Sequence, residues 1–299
     1  WFILLCVLFA GFFLLEGFDY GTGILLPVIG KTDVERRQMI NALGPIWDGN
    51  EVWMITAGGA LFASFPHVYA TLFSGFYMAL FLMLAVLIMR GVAFEFRSKS
   101  PNRTWRKVFD YCIFIGSIVP ALLWGVTVGN LIQGTPIDET MTYVGTFWDL
   151  LSPYTVLCGV AFILVFTYHG GLFTSLKTAG PVSERARAAA LVTGVPTAIG
   201  VIALIIASYV CTDLYNSTLA IIFCALAVVC FLISWGATRT RNTKWGFLFS
   251  SLSIILITAT YFAGLFPRIM VSSLNPAWSL TITNTSSSEY TLALITAVA

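Results

Sequence analysis

Apolar residues run through this chain in long unbroken stretches, without the alternation of a strand or the one-sided stripe of a soluble helix. A membrane-crossing helix needs about 20 such residues in a row. Stretches of that kind run from Trp1 to about Pro27, His67 to Val92, Val108 to Ile132, Pro153 to Leu176, Ala186 to Val210, Ser217 to Ala237 and Trp245 to Phe266, and another opens near Tyr290. The segment from Ile46 to Phe65 is ambiguous. Val52 to Phe65 is apolar and stops at Pro66, but Asp48, Asn50 and Glu51 occupy the first turns. It reads either as a ninth span with a polar mouth or as a half-helix that dips in and returns.

The cations decide between the two, because cytoplasmic loops collect Lys and Arg. With a full span at 46–65, the cytoplasmic segments hold Lys31, Arg36 and Arg37; Arg90, Arg97, Lys99, Arg103, Arg106 and Lys107; Lys177, Arg185 and Arg187; and Arg239, Arg241 and Lys244, which is 15 of the 16 cations. Only Arg268 falls outside, together with Asp138, Glu139, Asp149, Asp213 and Glu289. A half-helix would put the first three cations outside. The pattern predicts an all-α polytopic membrane protein of nine transmembrane helices, N-terminus outside and C-terminus inside, with eight plus a half-helix as the alternative. Residues 1–134 and 153–299 then suit two four-helix bundles plus one peripheral helix, on either side of the Thr135–Ser152 loop. The first run lacks a basic n-region and a small-residue cleavage site, so it reads as a span and not as a signal peptide. A start at Trp1 and an apolar run still open at Ala299 read as a piece of a slightly longer chain.

Composition narrows the class further. Of 299 residues 58% are hydrophobic and only 10% charged, with a mean hydropathy of +0.87, against about 25% charged in soluble domains. A cytosolic globular enzyme is excluded, and so is an outer-membrane barrel of short alternating strands. A net charge of +2 with no basic block argues against a nucleic-acid partner. The six cysteines form no Cys-x-x-Cys pair and read as apolar packing.

Carboxylates inside a membrane are costly and functional by default. Glu16 and Asp19 share one helix face, and Asp48 and Glu51 repeat the spacing at the mouth of the next span. Four acids at one depth on the cytoplasmic side, with Gly17, Gly21, Gly23 and Gly49 allowing close helix approach, can form a polar mouth for protons or cations. The plain alternative is interfacial acids paired with Lys31, Arg36 or Arg37. Asp19, with apolar sequence on both sides, and Asp48 are the strongest candidates for proton transfer. The tryptophans near span ends fit an interfacial belt, but Trp47-Asp-Gly-Asn50-Glu-Val-Trp53 holds two acids and an amide that a belt does not need. His67 and His169 read as interfacial histidines, and two histidines cannot ligate several haems in the usual way.

Gly17-Phe-Asp-Tyr-Gly-Thr-Gly23, Glu35-Arg-Arg37, Trp47 to Trp53, Thr56 to Ala63, Phe73-Ser-Gly-Phe-Tyr77 and Phe94 to Lys99 together resemble subunit II of the cytochrome bd-type quinol oxidases. The likeness is dense from about residue 10 to 135. It is visible again at Gly129 to Gly134, at Phe249 to Leu252 and near Ser272 to Leu280, and rests on hydropathy elsewhere. The resemblance implies a terminal oxidase that oxidises quinol and reduces dioxygen to water. Two b-type haems and one d-type haem would lie in the partner, subunit I, and this chain would be a haem-free subunit that stabilises subunit I and conducts protons from the cytoplasm. By the same resemblance Asp19 and Asp48, with Glu16 and Trp47 beside them, carry the proton role. It also implies a bound quinone in some members, a small accessory subunit, contact with membrane lipid, and residence in a bacterial or archaeal cytoplasmic membrane. Two departures stand out: Glu51 occupies a position where many members have Gln, and the outer loop near Asp213 lacks a large insertion. A secondary ion or solute transporter and a pure membrane scaffold are the competing readings.

Overall fold

The computed structural model describes residues 1–298. Eleven α-helices follow one another: α1 (Phe2–Ile29), α2 (Asp33–Leu43), α3 (Trp47–Ser64), α4 (Pro66–Gly75), α5 (Tyr77–Phe96), α6 (Arg103–Gln133), α7 (Pro153–Lys177), α8 (Pro181–Cys211), α9 (Thr218–Arg239), α10 (Thr243–Leu265) and α11 (Glu289–Val298). The only sheet among the described residues is a short antiparallel pair in the connection after α10, β1 (Arg268–Met270) with β2 (Leu280–Thr281). Among the described residues seven helices are long and apolar enough to cross a membrane: α1, α5 with its 3₁₀ extension to Lys99, and α6 to α10. α3 is 18 residues long but carries Asp48, Asn50 and Glu51 at its start, and α11 is described over ten residues.

α1, α6 and α7 form the centre. Every residue from Glu16 to Leu26, from Leu123 to Asn130 and from Phe166 to Ser175 is buried. A helix apolar all round can sit in such a place because its hydrogen bonds are internal, but its neighbours must then come close. The Gly21–Gly170 crossing makes this possible: a Cβ on Gly21 would lie 1.8 Å from the Phe166 carbonyl oxygen, and one on Gly170 2.3 Å from the Gly21 backbone. Thr22 and Thr174 share a 3.0 Å hydroxyl contact beside it. By contrast, α8 and α9 turn a continuous apolar face outward, including Val192, Ile199, Ile206, Ile222 and Val229.

The single span expected from His67 to Val92 is divided. The backbone leaves helical geometry at Phe76, separating α4 from α5. The connection between α6 and α7 packs against the break: the Tyr143 ring lies where a Cβ on Gly75 would stand, and Thr71 Oγ1 donates to the Met141 carbonyl at 2.6 Å. At about 1.5 Å per residue a ten-residue α4 spans roughly 15 Å, half the hydrocarbon core.

Capping and ion pairs fix the opposite end. Thr32 and Glu35 form a reciprocal capping box on α2. Arg97 bonds both Asp110 (2.5 Å) and Asp33 (3.0 Å), while Arg36 reaches Asp110 at 2.7 Å and Arg106 reaches Asp33 at 2.6 Å. These pairs clamp α2, the end of α5 and the start of α6. Glu35 also meets Arg185 at 2.5 Å, tying α2 to α8. Donation from the Thr32 backbone N–H, helped by Arg185 and the Lys31 N–H, holds the Glu35 carboxyl below the usual carboxylate range. A lowered folded-state value stabilises the fold above the unfolded value and ceases to do so as pH falls through the folded one. The protection factor of the α2 amides, their exchange relative to the intrinsic rate at each pH, should therefore stay constant from pH 8 to 5 and fall only below about pH 4; a fall already at pH 6 would contradict this assignment.

Candidate functional site

The first turns of α3 enter the protein beside the middle of α1. Asn50 Nδ2 donates to Asp19 Oδ2 at 2.8 Å, and both residues are buried. One turn away, Arg90 of α5 inserts between the helices and is completely buried. Its Nη1 donates to Glu51 Oε1 at 3.1 Å and lies 3.5 Å from Glu16 Oε2. The guanidinium stands 5.0 Å from the Tyr20 ring centroid and 5.1 Å from that of Phe94, so aromatic faces replace part of its lost hydration.

Two carboxyl groups thus meet one guanidinium and a third, Asp19, lies nearby on the same helix as Glu16; Glu16 and Asp19 have no exposure at all. Polar capacity exceeds what the chain satisfies: Glu16 Oε1, Asp19 Oδ1, the Tyr20 hydroxyl, and Arg90 Nε and Nη2 are all buried without a hydrogen-bond partner. Each such orphan costs about 1–3 kcal/mol, so their concentration on facing turns marks a site built for something other than stability.

Glu16, Asp19, Asn50 and Glu51 come together here. Asp48 does not join them; it is exposed on the outer face of α3, with no hydrogen-bond or ion-pair partner among the described residues. The two tryptophans of the motif are packing elements. Trp53 lies against Gly11, where a Cβ would stand 2.3 Å from the indole, and Trp47 packs on Phe94 at 5.3 Å between centroids. Neither Lys31, Arg36 nor Arg37 pairs with the four acids; Arg36 is committed to Asp110.

Two readings of the sequence need correction. Arg90 is not a loop cation but the centre of the site. Its signal in the sequence is the turn of apolar residues, Val92 to Phe94, that follows it before Glu95. His169 is not interfacial but wholly buried, its Nδ1 2.9 Å from Ser250 Oγ and its ring stacked on Phe247 at 4.7 Å and 6°. Its other ring nitrogen, Nε2, is buried without a hydrogen-bond partner. His67 is exposed.

An apolar cavity of about 840 Å³ opens between α1, α3, α4, α5, α6 and α10, lined among others by Phe9, Phe62, Tyr69 and Trp124. The Trp124 indole N–H has no partner.

The model of a family described as cytochrome bd terminal oxidase subunit II matches residues 1–299. The chain is similar, at 40% identity over 301 residues, to the cytochrome bd ubiquinol oxidase subunit 2 of Bacillus subtilis (strain 168), covering 100% of this chain and 89% of that one. It is similar, at 39% identity over 334 residues, to the cytochrome bd-I ubiquinol oxidase subunit 2 of Escherichia coli (strain K12), covering 100% and 88%. Among solved structures, the bd oxidase from Geobacillus thermodenitrificans has the same fold, with a TM-score of 0.76 at 18% identity over 98% of this chain and 90% of that one.

Proposed function

Because the chain belongs to the family of cytochrome bd terminal oxidase subunit II, and is thus a multi-pass membrane subunit of an oxidoreductase complex, we propose that it is a haem-free partner of subunit I that stabilises it and carries protons inward from the cytoplasmic side. The proton role rests on one observation above the rest: Glu16 and Glu51 on a single buried Arg90 and Asp19 bonded to Asn50 beside them, with buried carboxyl oxygens of Glu16 and Asp19 left unpartnered. Acids in excess over cations in the membrane interior are the composition a proton-exchanging site requires. Asp48, exposed on the same helix as Glu51, is the outermost member of this route.

The nine-span reading accompanies this proposal. α3 and α11 complete the seven long helices, the N-terminus lies outside and the C-terminus inside, and residues 1–134 and 153–299 are its two bundles. The complex's two b-type haems and its d-type haem belong to subunit I. A quinone held in this chain would occupy the apolar cavity beside Trp124, whose free indole N–H suits a quinone carbonyl. Trp124→Phe should then lower the quinone extracted from the purified complex while the haem content stays constant; unchanged quinone would remove Trp124 from that role.

The functional assignment is tested by purifying the complex through a tag on this chain and recording its visible spectrum. Bands of b- and d-type haem in a co-purifying partner are expected. A chain isolated without haem that catalyses ion or solute uptake in liposomes would overturn it.

A further inference from the structure

The end of the bundle away from the Arg97 clamp holds a polar pocket of about 380 Å³, between the C-terminal ends of α6 and α8 and the segment around β1. Gln133, Val210, Cys211, Asp213, Arg268 and Pro276 are among the residues that line it, and it shares none with the apolar cavity beside Trp124. Arg268 Nη2 meets Asp213 Oδ2 at 2.7 Å, and both side chains stay partly exposed. That pair uses one nitrogen and one oxygen. Arg268 Nε and Nη1 and Asp213 Oδ1 have no other partner among the described residues. Gln133 Oε1 accepts from Ser152 Oγ at 2.7 Å, which leaves its amide N–H groups free.

Two helix ends add to the acceptor side. The last carbonyls of a helix have no intrahelical partner and carry partial negative charge, and neither α6 nor α8 has a basic residue in its last turn to offset it. The pocket therefore offers free donors on Arg268 and Gln133 together with free acceptors on Asp213 and at the helix ends. A simple anion would be repelled by Asp213, and a simple amine by Arg268. A ligand that carries an anionic and a cationic group close together satisfies both. Depth narrows the ligand further. Residues 188–211 of α8 carry no charged side chain, a length of about 36 Å against a hydrocarbon core of about 30 Å. Asp213, just beyond that stretch, and Arg268 beside it stand at the level of lipid headgroups. Val210 belongs both to the pocket and to the exposed apolar face of α8, with Ile202, Ile206 and Tyr209, so acyl chains of a molecule headed in the pocket would run down that helix.

We propose that this pocket is a binding site for the headgroup of a phosphoethanolamine-type membrane lipid. Its phosphodiester takes the free donors of Arg268 and Gln133, and its ammonium takes Asp213 and the carbonyls at the helix ends. The site needs only that the chain spans a membrane, so it stands apart from the proton role.

Cys211 supplies a reporter in the wall of the pocket, because among the described residues it is the one exposed cysteine. The complex is purified through a tag on this chain, stripped of lipid in detergent, and given dioleoyl phosphatidylethanolamine, dioleoyl phosphatidylglycerol or soluble phosphoethanolamine. Modification of Cys211 by a methanethiosulfonate reagent is then followed by peptide mass spectrometry. The ethanolamine lipid is expected to slow modification by about tenfold once its concentration is ten times its Kd. The glycerol lipid should protect less, and soluble phosphoethanolamine, without chains to lie along α8, should not protect at the same concentration. Arg268→Gln should abolish protection, and Asp213→Asn should abolish the preference for ethanolamine over glycerol. Both variants are expected to react at the wild-type rate without lipid. Unprotected Cys211 in the wild-type complex with the ethanolamine lipid, equal protection by the glycerol lipid, or protection unchanged in Arg268→Gln would overturn the proposal. Protection by soluble phosphoethanolamine equal to that by the lipid would overturn the membrane as its source.

Discussion

Replacing Arg90 by methionine is expected to abolish recovery of the assembled complex. The side chain is completely buried and is the only cation that touches Glu16 or Glu51 among the described residues. Removing one partner of a buried ion pair costs about 3–5 kcal/mol, because the remaining charge keeps its desolvation penalty and loses its compensation. Here the loss would strand two carboxyl groups at once. The double variant Arg90→Met with Glu16→Gln removes the fully buried one of the two stranded carboxyl groups together with the cation, so it should regain part of the stability. Arg90→Lys retains the charge but loses the flat contact with Tyr20 and Phe94, and should fall between the two. The yield and thermal midpoint of the purified complex check all three. A single Arg90→Met variant as stable as wild type would mean that the ion pairs contribute nothing to the fold.

The same residue marks where reading the chain stops short. α1 and α6 to α10 are legible because unbroken apolar runs leave no other solution in a membrane, and their limits agree with the structure within about five residues. The division between α4 and α5 is not legible, because Tyr143 packs on it from a loop nearly 70 residues away and Gly75, an isolated glycine inside an apolar run, is too weak a breaker to mark it alone. Asp19, Glu16 and Glu51 stand out as acids among apolar neighbours. Their partners do not. The orientation count assigns Arg90 to a cytoplasmic segment with the other cations although the apolar run extends past it to Val92, and the amide of Asn50 has no property in sequence that directs it to Asp19. Asp48 and Glu51 look equivalent at their shared spacing, yet the rotation of α3 turns one toward Arg90 and the other outward. Pairing across helices depends on rotation and depth, and hydropathy reports neither.

The central claim is that the buried acids move protons and do not merely hold helices together. Asp19→Asn changes one carboxyl oxygen to an amide of equal size, and the Asn50 donor can still find an oxygen at that position. The complex should therefore assemble with its full haem content. Loss of a positioned proton-transfer group commonly costs on the order of a hundredfold in rate. Asp48→Asn should act in the same direction, and more weakly where water can replace it at the outer surface of α3. The decisive measurement is quinol-oxidase turnover per haem d, with membrane potential generation, in the purified Asp19→Asn complex. A loss of at least about tenfold in both at unchanged haem content is the predicted result. Wild-type turnover and potential per assembled complex would contradict the account, whether or not the amount of complex had fallen, and would leave these acids a purely structural role.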